Sequence, residues 1–256
     1  MTVATVVRQF GPAYAARFGA AMPASHRRAL ADLAACRTAA MGGRVTQCDT
    51  CGVEHYDYHS CRNRSGPACH SVSTRAWLAA RETELLPVPY FHVVFTLPAE
   101  LRAIVRAHPH VLLGALMQTA AESLQALAGD PHYLGGIVGF LAVLHTWTRM
   151  LVYHPHVHCL VPGSALAPNG VTWRRARGNY LVPVRALSVG FRARPLARRR
   201  RVLPDVAVPP AVWKQPWVVY AKPTVQATTS CCAISRATCI ASRSPMRASC
   251  GSMRRR

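Results

Sequence analysis

An α+β fold is predicted for this chain of 256 residues, and three observations predict it. Residues 3–40 and 99–128 are rich in Ala and Leu and read as helical. Four short segments, near 90–97, 137–147, 151–161 and 217–220, are β-branched and aromatic, as strands require. Their order, a strand, a long helix, then two adjacent strands, suggests an antiparallel sheet with helices on one face. Half the residues are hydrophobic and 16% are charged, so a core can be buried and the chain is no disordered polyelectrolyte.

From the N-terminus, the first helical stretch should break at Gly11-Pro12 and again at Pro23-Ala24-Ser25, with Ser25 capping a helix that runs to about Cys36. Residues 41–70 change character: rich in Gly, Cys, His and Asn and without periodicity, they read as loops held by a ligand rather than by a core. A basic helix from Thr74 to Leu86 leads into Pro87-Val88-Pro89. Tyr90 to Leu97 is the first strand, ended by Pro98, and the long helix after it is interrupted near Pro109. Gly135-Gly136 opens the second strand, and Pro162-Gly163 closes the third. Residues 164–190 read as loop and short strands, and Trp217 to Tyr220 as the last strand. The expected domains are 1–86, 87–226 and a disordered tail, 227–256.

Charge narrows the function. The chain has 31 Lys+Arg against 10 Asp+Glu, a net +21. Residues 131–256 hold 19 basic residues and one acid, Asp205. A field of this sign selects polyanions, nucleic acid or an anionic membrane surface. Guanidinium, which carries almost all of the charge, grips phosphate oxygens bidentately. No apolar run reaches the roughly 18–20 residues that cross a bilayer. The first residues lack the pattern of a secretory signal, so the expected location is the cytoplasm, at the nucleoid. Ten cysteines in that setting point to metal sites before disulfides.

Two constellations carry chemistry. In Tyr153-His154-Pro155-His156-Val157-His158-Cys159 the strand alternation sends His154, His156 and His158 to one face and Val157, Cys159 and Val161 to the other. Imidazoles two residues apart on a strand can converge on one ion, and His145 on the neighbouring strand is a further candidate ligand. The second constellation is Cys36, then Cys48-Asp49-Thr50-Cys51, then Cys61 and Cys69-His70. A Cys-x-x-Cys with more Cys and His 10–20 residues on has the spacing of a structural zinc site, with Cys48, Cys51, Cys61, Cys69 and His70 as the candidate ligands. Arg62 and Arg64 on the same loop are candidate phosphate contacts.

Several stretches in order resemble one family, the two-tyrosine rolling-circle transposases of the insertion-sequence-91 type, within the HUH endonucleases. They are Gly11-Pro12-Ala13-Tyr14, Ala35-Cys36-Arg37-Thr38, Cys61-Arg62-Asn63-Arg64, Phe91 to Pro98, Leu144-His145-Thr146-Trp147, His154 to Val161, and Trp217 to Pro223. The resemblance implies an N-terminal zinc-binding domain followed by an HUH-type antiparallel sheet. It matches His156-Val157-His158 to the HUH pair, which holds Mg or Mn against the scissile phosphate of single-stranded DNA at mobile-element ends. It also implies a tyrosine nucleophile and a phosphotyrosine intermediate.

The chain departs from that pattern in three places. Gly66 stands where the family has a zinc-ligand cysteine, with Cys61 or His70 as substitutes. Residues 192–204, with Arg198 to Arg201, are compressed. After Pro223 the family continues into a helix bearing its tyrosines, whereas residues 227–256 contain no Tyr, His or acid. The expected cause is a shifted reading frame in a truncated gene copy, since codons allowed by this tail can spell a two-tyrosine motif one nucleotide out of phase. A chain of this kind binds DNA and a divalent ion but cleaves poorly. The competing readings are a zinc-dependent nucleic-acid-binding remnant without catalysis, and a metal hydrolase on another fold. The hydrolase is disfavoured because no Asp or Glu lies near the histidine strand to serve as a base.

Overall fold

The structure, a computed structural model, describes residues 2–224 apart from Arg64, Arg149, Leu151, Asn179, Tyr180 and Leu203, and gives no side-chain environment for 67, 70–72 and 195–202. The candidate residue Arg64, the His70 ring, the Arg198–Arg201 side chains and the tail 227–256 therefore lie outside the described residues. Two compact units divide after Ala79.

The first unit opens with helix α1 (Val3–Phe18), its N-terminus capped by Thr2, whose hydroxyl accepts from the Thr5 amide at 3.1 Å. The break expected at Gly11-Pro12 does not occur, and Pro12 sits inside the helix. A proline there forgoes one helical hydrogen bond and crowds the preceding turn. Tertiary packing offsets this: α1 lies against α2 (Ala24–Ala35), and the Arg8 guanidinium donates to the Ala34 and Cys36 carbonyls that end α2. Ser25 does not cap α2. The helix starts one residue earlier, at Ala24, and the Pro23 carbonyl accepts from the His26 and Arg27 amides.

The aperiodic loop expected over 41–70 contains a hairpin. Strands β1 (Gly43–Gln47) and β2 (Glu54–Tyr58) pair antiparallel from Gly43↔Tyr58 to Gln47↔Glu54. Every residue of both strands is exposed, so neither shows the polar–apolar alternation that betrays a half-buried strand. Helix α3 (Pro67–Glu82) begins seven residues before the predicted Thr74, with Pro67 at its first position. Among the described residues of this unit only Met22, Leu33 and Cys36 are buried side chains. So small a core cannot hold some eighty residues without a staple.

The second unit is built on a four-stranded antiparallel sheet of order β4-β5-β3-β8, from β3 (Tyr90–Thr96), β4 (Leu141–Trp147), β5 (Tyr153–Pro162) and β8 (Val219–Thr224). Between them lie α4 (Arg102–Ala107), α5 (Pro109–Gly129), the short pair β6 (Ser164–Leu166) and β7 (Trp173–Arg175), α6 (Val184–Val202) and α7 (Ala211–Lys214). Phe91, Val93 and Phe95 of β3 and Val157, Cys159 and Val161 of β5 turn inward and share one core with Leu116, Ala120 and Leu124 of α5 and Leu187 and Phe191 of α6. Phe191 bridges Phe95 and Trp217, with ring centroids 4.9 and 5.3 Å away. Helices therefore cover one face, as predicted, and the opposite face is left to the histidines. Contrary to the sequence expectation, α5 has the length and apolarity of a membrane span. Its stripe of buried residues, including Leu113, Leu116, Ala120 and Leu124, packs as the core helix of this unit.

Candidate metal centres

In the first unit three cysteines from separate segments meet. Cys36 ends α2, Cys61 follows the hairpin, and Cys69 lies in the first turn of α3. The Cys69 sulfur is 3.2 Å from that of Cys36 and 3.6 Å from that of Cys61. These separations are near the edge, roughly 3.8 Å, of a tetrahedron with Zn–S bonds of about 2.3 Å. The loop is shaped around the sulfurs: the Cys61 amide donates to Cys36 Sγ at 3.5 Å and the Asn63 amide to Cys61 Sγ at 3.4 Å. Asn63 braces the turn, its side-chain amide donating to Asp32 and its carbonyl oxygen accepting from the Ser65 amide. Burial pushes the Cys61 thiol up to about 12, whereas at Cys36 the raising effect of burial is outweighed by the Cys61 amide and the neighbouring thiols, which lower it.

Among the described residues no side chain adds a fourth ligand to the three sulfurs. Gly66 is buried, and a Cβ there would lie 3.5 Å from Cys69 Sγ, 3.3 Å from the Asn63 carbonyl and 3.1 Å from Leu33. The predicted ligand set therefore divides. Cys61 and Cys69 come together, Cys36 joins them, and Cys48 and Cys51 do not. Those two sit exposed at the hairpin tip, where Gly52 at φ 71° closes a tight knuckle. The backbone amides of Cys51 and Thr50 point at Cys48 and lower its thiol to about 7. Among the described residues no third ligand joins that pair. Arg62 lines an open cleft of about 400 Å³ with Arg37, Arg44, Asp57, Tyr58, His59 and Ser60. Sequence reading missed Arg37 and Arg44, which the hairpin brings beside Arg62.

In the second unit the histidines converge by strand register. His145 on β4 stands opposite His156 on β5, and His158 follows two residues on. A ligand nitrogen of each lies within 4.8 Å of the other two. His145 is buried, and ring centroids separate it from His156 and His158 by 5.2 and 4.2 Å. His156 Nδ1 donates to the His154 carbonyl at 2.5 Å, which leaves Nε2 with its lone pair exposed to a ligand. His158 Nδ1 is 2.7 Å from His92 Nε2; in the tautomer in which His158 donates to His92, its Nε2 keeps the lone pair. Burial, reinforced by the neighbouring imidazoles, depresses His158 to about 2, keeping it neutral and able to ligate. Three imidazoles, with no carboxylate joining them among the described residues, suit a transition ion better than Mg²⁺, which prefers oxygen.

His154 lies on the same face but outside the triad: its Nδ1 is 2.5 Å from an Arg102 guanidinium nitrogen. Tyr220 on β8 is exposed. The register Val94↔Tyr220 beside Val94↔His158 puts it on the histidine face. In the sequence His92 shows no signal beyond its strand alternation; pairing of β3 with β5 makes it a partner of His158.

Comparison with known proteins finds two family matches. A transposase zinc-binding domain matches residues 6–97, and a domain described as "Putative transposase" matches residues 139–233. Both matches are to transposase domain families, the first of the insertion-sequence-91 type. It is 43% identical over 190 residues to "Putative transposase y4qJ" of Sinorhizobium fredii, covering 74% of this chain and 48% of that protein. It is 34% identical over 142 residues to "Transposase for insertion sequence element IS801" of Pseudomonas savastanoi pv. phaseolicola, covering 55% and 33%. The chain thus spans half or less of these relatives. No solved structure matches it. The three-cysteine cluster falls within the zinc-binding match, and the histidine triad within the second.

Proposed function

We propose that the chain binds single-stranded DNA at the ends of a mobile element and presents one phosphate to a divalent cation held by His145, His156 and His158. The observation that carries this is the triad itself: a ring nitrogen of each of His145, His156 and His158 lies within 4.8 Å of the other two, and Nδ1 of His156 and of His158 is held by a hydrogen bond. A cation bound there supplies Lewis-acid polarisation of the phosphoryl oxygens. Everything else falls to the protein. The β5 carbonyl at His154 and the His92 ring fix the tautomers of the ligands, and the sheet holds all three rings on rigid backbone. Cys36, Cys61 and Cys69 hold a structural zinc that organises the first unit, and its Arg37–Arg44–Arg62 cleft takes phosphate.

Cleavage needs a nucleophile, and the resemblance places its tyrosines on a helix after Pro223, where residues 227–256 hold none. The reading is therefore strand binding at a metal site with poor nicking by this chain. Incubation with labelled single-stranded DNA and manganese tests it. Expected are manganese-dependent binding, its loss in His156→Ala, and no covalent protein–DNA adduct. A robust adduct overturns the nicking defect. Binding indifferent to manganese and to His156→Ala instead favours a non-catalytic zinc-dependent remnant.

A further inference from the structure

The open face of the sheet holds more than the triad. From His154 the rings run without a gap: to His156 at 5.2 Å between centroids, to His158 at 4.9 Å, to His92 at 4.9 Å and to Tyr220 at 6.2 Å. The series crosses three strands, β5, β3 and β8, and a cation closes each end. At one end the Arg102 guanidinium meets His154. At the other the Lys222 ammonium lies 5.4 Å from the Tyr220 ring centroid. Lys222 and Tyr220 are exposed. None of the ion pairs among the described residues uses Arg102 or Lys222. The acid whose charge is felt from Arg102, Glu100, has its carboxylate hydrogen-bonded to Gln215 at 2.9 Å. Arg102 Nε is buried with no hydrogen-bond partner.

A row of aromatic rings with a positive charge at each end fits one polymer better than others. A single nucleic-acid strand offers unstacked bases to rings and phosphates to cations. A duplex offers only its phosphates, since its bases are already stacked on each other. We infer that this ladder is the strand-binding track of the second unit, with Arg102 and Lys222 each gripping a backbone phosphate on either side of the histidine triad and Tyr220 stacking against a base. The inference rests on the reading that the triad faces single-stranded DNA, and it adds which residues thread the strand past it.

The test is fluorescence anisotropy of a labelled single-stranded oligonucleotide on the full chain with manganese, over a series of salt concentrations. Arg102→Ala and Lys222→Ala should each weaken binding and each lower the slope of log affinity against log salt by about 0.7, the signature of one lost single-strand phosphate contact. Tyr220→Leu should weaken binding on the order of tenfold and leave the slope unchanged, and Tyr220→Phe should bind like the parent. Arg102→Lys and Lys222→Arg, which keep the charge, should keep the slope. These conservative variants separate a lost contact from a damaged fold. If the parent binds single strands and the three truncations bind with unchanged affinity and slope, the track is wrong while the triad reading stands. If a duplex of the same sequence is equally weakened by Tyr220→Leu, the stacking role is wrong. If the parent binds no single strand at all, the proposed function fails and the track with it.

Discussion

The two metal centres are built in opposite ways. The histidine triad rests on a sheet whose other face is packed by α5 and α6, and its ligands are placed by register: His145 opposite His156, and His158 two residues along. The cysteine cluster joins the end of a helix, a loop and the start of another helix in a unit with three buried side chains among its described residues. A scaffold with its own core can hold ligands in place before metal arrives, whereas a coreless one must be assembled by it. The first unit should therefore depend on zinc for its fold, and the second should depend on its metal only for binding.

Breaking the triad should give the largest effect. His156→Ala or His158→Ala is expected to lower manganese affinity more than 100-fold by titration calorimetry, with bound zinc and the melting of the sheet unit unchanged. Loss of zinc in the same variants would contradict the independence of the two centres. Next in size is Cys61→Ser, or removal of zinc by a chelator from the intact chain. Either should melt the first unit, read as a loss of helical circular dichroism, while the second unit keeps its cooperative transition. A single unchanged transition in zinc-free protein would show that the first unit needs no metal.

These contrasts also explain what the sequence could reveal. Strand periodicity placed His154, His156 and His158 on one face and Val157, Cys159 and Val161 on the other, because a strand with one buried face must alternate. It could not show that Arg102 claims His154, or that β3 carries His92 alongside His158, because those contacts depend on which strands pair. In the first unit the cysteine spacing signalled metal but not which cysteines share it. Cys36 and Cys69 are 33 residues apart, and no local period links them. The hairpin was hidden because all its residues face outward. Helix α1 was misjudged at Pro12 because Arg8 and α2 override a local preference.

Smaller effects sharpen the comparison. His92→Ala should weaken manganese binding 10- to 100-fold, the usual cost of removing a ligand's hydrogen-bond partner. His92→Gln, which can still accept from His158, should recover part of it, and no recovery would argue for a packing role. In the first unit Gly66→Cys should raise zinc affinity on the order of tenfold or more by completing four thiolates, measured by competition with a chromophoric chelator. An unchanged affinity would mean that position 66 is not the open corner. The smallest effect is expected for Cys48→Ser. Zinc affinity should stay within about threefold of the parent, since losing a ligand outright costs far more. A larger loss would bring the hairpin tip into the site.

The central position of β3 also sets a timetable for synthesis. Its neighbours are β5 and β8, and Tyr90 pairs with Thr224 across 134 positions of sequence. At about 5–20 residues added per second, a ribosome takes roughly 7–27 s between making the two ends of that pairing. During that interval the apolar strand and the apolar helix α5 are exposed with half their partners not yet made. Such a nascent chain is a natural client for chaperones and a candidate for aggregation when overproduced, and its DNA-facing surface cannot form until β8 has left the exit tunnel.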